Sequence, residues 1–157
     1  MKLTSINLNG ERVLTLNVSG IVGFAGANYR DDVMLIQGLF KYISDGLYPE
    51  ALGLGGNYKV PEITGEMDAD TYSAISEFQI RNAGSLLMSR FDGRIHPANY
   101  KNRSLTTGGN KRYMSITLLH IMATDAAVMQ GHHDFTQGLT KLNPKLAYAI
   151  DIAVINA

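Results

Sequence analysis

The feature that most constrains the fold is an apolar stretch near the C-terminal end, residues 113–129. Its apolar side chains recur at helical spacing, namely Ile116, Leu118, Leu119, Ile121, Met122, Ala126 and Met129. Asp125 is the only residue in this stretch that carries a charge at pH 7 with histidine neutral. A helix with so little charge must be covered by other elements, because it is apolar on most of its surface. We therefore expect a largely buried helix inside a single core, which 157 residues are enough to build.

The first twenty residues carry a strand pattern instead. Polar and apolar side chains alternate on both sides of Asn9-Gly10, a dipeptide that favours the tight turn of a β-hairpin. A glycine-rich run at residues 20–26 then predicts a flexible connection. We interpret residues 1–28 as a hairpin extension and residues 29–157 as a helical domain with a C-terminal helical extension. The predicted fold class is mostly α, a helical bundle with a short N-terminal β-hairpin.

Periodicity and start signals predict three further helices. The first follows Asp31 and Asp32, whose carboxylates we expect to cap its free amides. The second begins at Asp68 or Asp70, and the last covers Pro144–Ile155. No regular element is predicted for three segments, which are residues 46–65, residues 106–110 and residues 131–143.

Two sequence motifs, here called the first and second blocks, follow the first predicted helix. That helix itself contains Gln37. The first block runs from Thr64-Gly65 to Phe78-Gln79, and the second is Asp92-Gly93-Arg94-Ile95-His96-Pro97. This order resembles the peptidoglycan-binding domain family, whose members carry V-x-x-L-Q, then T-G-x-x-D-x-x-T-x-x-A-V-x-x-F-Q, then D-G-x-(I/V)-x-P. The matching residues are Gln37, Gly65, Asp68, Thr71, Ala74, Phe78, Gln79, Asp92, Gly93 and Pro97.

The resemblance covers residues 30–103 and implies a compact three-helix fold. It also implies a non-catalytic module that binds peptidoglycan or a muropeptide in a shallow groove. Residues 46–65 are longer than the linker usual in the family, and His96 replaces its usual acid. The residues expected to contact the ligand are Asp92, Arg94, Gln79, Tyr48 and Tyr58.

A purely structural interpretation of the same residues stays open. Gln37, Phe78 and Gln79 are also explained as residues that stabilise helix ends and the core. Asp92 is also explained as a turn residue beside Gly93. The wall-binding hypothesis predicts that Asp92, Arg94 and the two loop tyrosines converge on one exposed groove.

Charge and cysteine content argue against several other classes. Lysine plus arginine equals aspartate plus glutamate at 14 each, so there is no electrostatic reason to bind nucleic acid or an anionic membrane. The absence of cysteine excludes thiol nucleophiles, cysteine-bound zinc and disulfides. The only metal-like set is His120, His132, His133 and Asp134, but adjacent histidines point in different directions. We therefore expect no cofactor and no metal.

Two alternatives belong to other functional classes. A structural or interaction protein, such as a phage-tail or contractile secretion-system component or effector, would expose an apolar patch on one of the last helices and could form a homodimer. A small hydrolase would have its acid in the unmatched tail from Thr106 onward, and a glycan-cleaving enzyme would use Glu62, Glu66 or Glu77 as its acid. None of these glutamates has a second carboxylate in a recognisable catalytic context, so no enzyme is predicted.

The N-terminal residues also bear on localisation. They lack a continuous apolar core, so no cleavable signal peptide is predicted. No apolar run approaches the roughly 20 residues that span a bilayer. We expect synthesis in the cytoplasm, with delivery to the periplasm or cell wall by a route that reads no such signal.

Overall fold

A computed structural model describes residues 1–8, 11–86, 92–98, 105–107 and 110–157. The α-helices of these residues are α1 (Arg30–Gly46), α2 (Ala69–Arg81), α3 (Ser115–Gln130), α4 (Phe135–Thr140) and α5 (Pro144–Ile155). Short 3-10 helices occupy Pro49–Leu52 and Ala83–Ser85. The predicted class, mostly α with an N-terminal hairpin, is confirmed. The expected turn at Asn9-Gly10 lies outside the described residues.

The strands form three separate antiparallel pairs. Strands β1 (Lys2–Leu8) and β2 (Glu11–Asn17) make the N-terminal hairpin. Strand β3 (Val22–Gly23) pairs with β4 (Arg94–Ile95), and β5 (Leu105–Thr107) pairs with β6 (Asn110–Arg112). Two expectations are therefore wrong. Residues 20–26 include a paired strand rather than a flexible connection, and residues 106–110 contain strand residues.

The central element of the fold is α1, which packs against α3, α4 and α5. Its residues Val33, Leu35, Ile36 and Leu39 have no exposed surface, so it is covered on several sides. Burial of each such side chain contributes on the order of 2 kcal/mol. In α3 the burial reaches Ala127, whereas the last turn of that helix is exposed. None of the helices described here combines the length and hydropathy needed to span a lipid bilayer.

The hairpin belongs to the same hydrophobic core as the helices. Leu16, Val18 and Val22 have no exposed surface and lie in one cluster with residues of all five helices. Asn17, at the end of β2, also accepts a 3.0 Å hydrogen bond from the backbone N–H of Ala98. The N-terminal residues are therefore packed onto the helices by both apolar burial and hydrogen bonds.

The first residues of α1 and α2 show which N-caps the sequence predicted correctly and which it did not. Asp68 is the N-cap of α2, because its carboxylate accepts a 2.8 Å hydrogen bond from the backbone N–H of Thr71. This result selects Asp68 over Asp70. The expected capping of α1 by Asp31 and Asp32 is wrong, since the N-cap is Tyr29 and makes no side-chain capping bond.

The segment at residues 131–143 contains a helix that the sequence reading missed. Asp134 caps α4 by accepting a hydrogen bond from Gln137 N–H, and the Gln137 side chain accepts one from His133 N–H. These two hydrogen bonds resemble a capping box displaced by one residue, because the Gln137 side chain bonds the N–H that precedes the N-cap, and the Asp-x-x-Gln pattern was readable in the sequence. Gly138 lets α4 approach α1, because a Cβ at that position would lie 2.3 Å from the ring of Tyr42. Residues 46–65 likewise contain the 3-10 helix Pro49–Leu52.

Candidate functional site

The first motif block is held by the side chain of Gln37 in α1. Its Oε1 accepts hydrogen bonds from the backbone N–H groups of Thr64 and Gly65, both at 2.9 Å. Its Nε2 donates to the Glu66 carbonyl at 2.9 Å and to the Thr71 hydroxyl at 3.0 Å. The glutamine has no exposed surface. One side chain therefore joins α1 to the turn and to the start of α2.

The second block is held in the same way by Gln79 in α2. Its Oε1 accepts a 3.0 Å hydrogen bond from Gly93 N–H. Its Nε2 donates to the Arg94 carbonyl at 2.9 Å, and lies 3.3 Å from the Ser115 hydroxyl and 3.4 Å from Asp92 Oδ1. Gln79 also has no exposed surface. Its amide therefore makes hydrogen bonds inside the protein and is not available to a ligand.

The two arrangements share their components, and we call them the glutamine latches. Each uses a buried glutamine, a glycine in the left-handed region with φ of 80° at Gly65 or 68° at Gly93, and a hydroxyl in the next helix. A glutamine side chain suits this position because it offers both a donor and an acceptor. The latches join α1 to α2 and α2 to α3, so the motif residues have a common structural role.

We expect Gln79→Ala to lower the free energy of unfolding by about 2 kcal/mol, because part-buried backbone groups of Gly93 and Arg94 lose their partners. Urea denaturation followed by circular dichroism measures the change. Gln130→Ala is the matched control, since Gln130 is exposed and makes a single 3.3 Å hydrogen bond to the Tyr42 carbonyl. Equal losses of unfolding free energy in the two variants would show that the second glutamine latch contributes no more to stability than the hydrogen bond of Gln130.

The second block also presents an exposed polar surface beside an aromatic ring. We define the Gly93 face as Phe24, Asp92, Arg94 and His96. Asp92 Oδ2 lies 3.4 Å from His96 Nε2, and their side chains are 36% and 43% exposed. Phe24 is 68% exposed and its backbone N–H donates to the Gly93 carbonyl. Sequence reasoning missed Phe24, whose only local signal is an aromatic side chain within a glycine-rich run.

Arg94 contributes both to the turn and to this face. Its backbone N–H donates a 2.9 Å hydrogen bond to Asp92 Oδ1, which closes the turn around Gly93. Its side chain is half-buried, and within the described residues its Nε has no hydrogen-bond partner. The Gly93 face therefore brings four chemical groups together at one short turn. They are the carboxylate of Asp92, the imidazole of His96, the guanidinium of Arg94 and the aromatic ring of Phe24.

The structure does not bring Tyr48 and Tyr58 to the Gly93 face. Both tyrosines are exposed, and their segment packs on α2 where Gly53 meets Glu77 and Arg81. These two α2 residues lie two positions on either side of Gln79. Because successive helix residues turn by about 100°, they project on the opposite side of α2 from the glutamine. The helix therefore separates the loop tyrosines from Asp92 and Arg94.

Two of the grooves formed by described residues contain none of the residues expected to contact the ligand. The larger groove, between α1 and α5, has a volume of about 530 Å³. Its lining includes Arg30, Met34, Lys145, Tyr148, Ala149 and Ile152. A second groove of about 350 Å³ lies between α1, the 46–65 segment and the turn before α5. No local sequence pattern predicts the larger groove, because its walls are far apart along the chain.

His120 in α3 is buried but has no hydrogen-bond partner on either ring nitrogen among the described residues. Its ring stacks on Phe135 with centroids 5.5 Å apart. Burial lowers the pKa of His120 to about 4, and the nearby backbone of Leu16, which makes no hydrogen bond of normal geometry with the ring, opposes this shift by a smaller amount. His120 is thus held neutral inside the core.

Two of the remaining members of the metal-like set, His132 and Asp134, have protein partners for their side chains. Tyr42 Oη lies 2.6 Å from His132 Nδ1, and the two rings stack. Burial raises the pKa of Tyr42, and the nearby negative charge of Asp134 raises it further. Within the described ranges, no group of three or more histidine, aspartate or glutamate side chains is arranged to hold a metal.

Comparisons with known proteins do not extend this description. No protein-family model, curated protein or solved structure matches the chain.

Proposed function

We propose that this protein is a non-catalytic module that binds peptidoglycan of the bacterial cell wall. The observation that carries the proposal is the pair of glutamine latches. Gln37, Gly65 and Thr71 form one latch, and Gln79 and Gly93 contribute to the other. These are the residues on which the family resemblance depends. Their use in two equivalent networks supports a common architecture better than a chance match of short motifs would.

The Gly93 face is the part of this architecture that suits a wall fragment. The guanidinium of Arg94 can pair with a free carboxylate of a muropeptide, and charged hydrogen bonds of this kind are the stronger ones. Asp92 can accept hydrogen bonds from sugar hydroxyl groups. Phe24 offers an exposed ring on which the apolar face of a sugar can rest. All three groups are anchored to a turn that a buried side chain holds in place.

We expect the protein to co-sediment with insoluble peptidoglycan sacculi, and the Asp92→Ala, Arg94→Ala double variant to bind about tenfold more weakly. The matched control is Asp125→Ala with Lys141→Ala, which removes one acid and one base from exposed positions elsewhere. Phe24→Ala tests the same face without removing a side chain that contacts Gln79. Circular dichroism must show all variants folded. Absence of sedimentation by the unaltered protein would refute wall binding.

A structural or interaction role is the second candidate, favoured by exposed apolar side chains on the last helices. Val128 and Met129 at the end of α3 are 74% and 72% exposed, and Tyr148 and Ile155 on α5 are 69% and 75% exposed. Exposed apolar surface of this kind is typical of contact sites between proteins. Analytical ultracentrifugation separates the two functions. Self-association without sacculus binding would support a scaffold, for example in a delivery apparatus, over a wall-binding module.

A further inference from the structure

The groove between α1 and α5 is a separate feature from the Gly93 face. One wall is the first turn of α1 and the other is α5, which lies outside residues 30–103. Its volume of about 530 Å³ falls in the range of small-molecule and peptide sites. The family resemblance therefore implies nothing about this groove, and its occupant must be argued from its own residues.

The floor of the groove is apolar and shallow. Met34 and Ala149 are 3% and 6% exposed and form its base. Ile152 and Tyr148 rise beside them and remain open to solvent. A floor of this kind covers small apolar side chains, such as methyl groups, without enclosing a large one. Burial of methyl-sized groups on this floor would favour binding.

The rim of the groove carries charges that have no partners within the part of the chain that the structure describes. Arg30 and Lys145 are exposed, and neither has a carboxylate within 4.0 Å among the described residues. Asp31 is also exposed on the rim and has no cation within that distance in the same part of the chain. The groove therefore offers two unpaired positive charges and one unpaired negative charge around an apolar base.

We propose that this groove binds the stem peptide of peptidoglycan, an inference that rests on the proposed function. The stem peptide combines small side chains with free carboxylates and, where the diamino acid is not cross-linked, a free amine. Its carboxylates would pair with Arg30 and Lys145, its amine with Asp31, and its methyl groups would lie on the floor. Arginine can hold a carboxylate through two parallel hydrogen bonds, which also fixes its orientation. A glycan strand, rich in hydroxyl groups, would leave these charges unpaired.

The test uses a soluble probe, the tripeptide L-alanyl-γ-D-glutamyl-meso-diaminopimelate, followed by chemical shifts in the nitrogen-15-labelled protein. We expect the largest shifts at the backbone amides of residues 30–34 and 145–152. Arg30→Gln with Lys145→Gln should weaken binding about tenfold. The matched control, Lys59→Gln with Lys141→Gln, also removes two exposed positive charges and should leave binding unchanged. Tyr148→Ala tests the wall of the groove without altering charge.

The outcomes separate this inference from the proposed function. Sacculus binding with no effect of the Arg30, Lys145 and Tyr148 variants on tripeptide or sacculus binding would overturn the groove and leave wall binding standing. Tripeptide binding in the groove without sacculus binding would support the groove and refute the wall-binding function. If the groove variant and its lysine control weakened tripeptide binding equally, the effect would be explained by the overall charge of the protein. That result would overturn the inference. A tripeptide that gives no shifts at all would also overturn it.

Discussion

Asp32→Ala should lower the free energy of unfolding by about 3–5 kcal/mol, the loss typical of breaking a buried ion pair from one side. The Asp32 carboxylate has no exposed surface and lies 2.5 Å from the α-amino group of Met1. It also accepts 2.9 Å hydrogen bonds from the backbone N–H groups of Ser19 and Gly20. Removal leaves a buried positive charge and two part-buried backbone donors without these partners, at the junction between the hairpin and α1.

Asp31→Ala is the control for this prediction, because Asp31 is exposed in the same first turn of α1. Its loss removes only a favourable interaction with the helix dipole, which is worth about 0.3–1 kcal/mol. Guanidinium denaturation of protein that begins at Met1 measures both variants. Asp32→Asn should fall between them, because it keeps the shape of the side chain but loses its charge. Similar losses for Asp31→Ala and Asp32→Ala would contradict the buried ion pair.

Acidification from pH 6.5 to pH 4 should remove about 3 kcal/mol of stability through His120 alone. Burial lowers the pKa of this histidine in the folded protein to about 4, whereas its ordinary value is 6.5. Between these values the unfolded chain binds a proton that the folded protein does not bind. Stability from this group is therefore complete above pH 6.5, is lost progressively as the pH falls, and levels off below pH 4.

His120→Leu isolates this contribution, because leucine fills a similar volume and does not titrate. The unfolding free energy of the variant should depend less on pH between 6.5 and 4, by about 3 kcal/mol. The variant should also gain stability at pH 7, since it removes two buried nitrogens that lack partners among the described residues. His133→Leu is the control at an exposed position. Unaltered pH dependence in His120→Leu would show that the histidine is hydrated in solution.

The site was predicted only in part from the sequence. Asp92 and Arg94 do lie together on an exposed turn, as their adjacency to Gly93 requires. Gln79 lies beneath that turn, where its contribution is structural. Tyr48 and Tyr58 lie beyond α2, because the path of the 46–65 segment depends on its packing against Glu77 and Arg81. No pattern within that segment specifies which side of the helix it takes.

The sequence by itself determined the elements whose signals are local. Alternation predicted the hairpin, and α5 runs from Pro144 to Ile155 as expected because Asn143 caps its amides and proline suits its first turn. The same local chemistry selected Asp68 for α2 and could have revealed α4. The capping signals depend on hydrogen bonds between residues two to four positions apart. They therefore do not depend on how distant parts of the chain pack.

Only the tertiary structure decided how polar groups are shared between distant segments. Asp31 and Asp32 are adjacent and chemically identical, yet one is exposed on α1 and the other is buried against Met1, Ser19 and Gly20. The charges of Arg30 and Lys145 meet across a groove because α5 packs beside α1. These placements follow from the burial of apolar faces around α1, a contribution to folding that has no direction and leaves no local pattern.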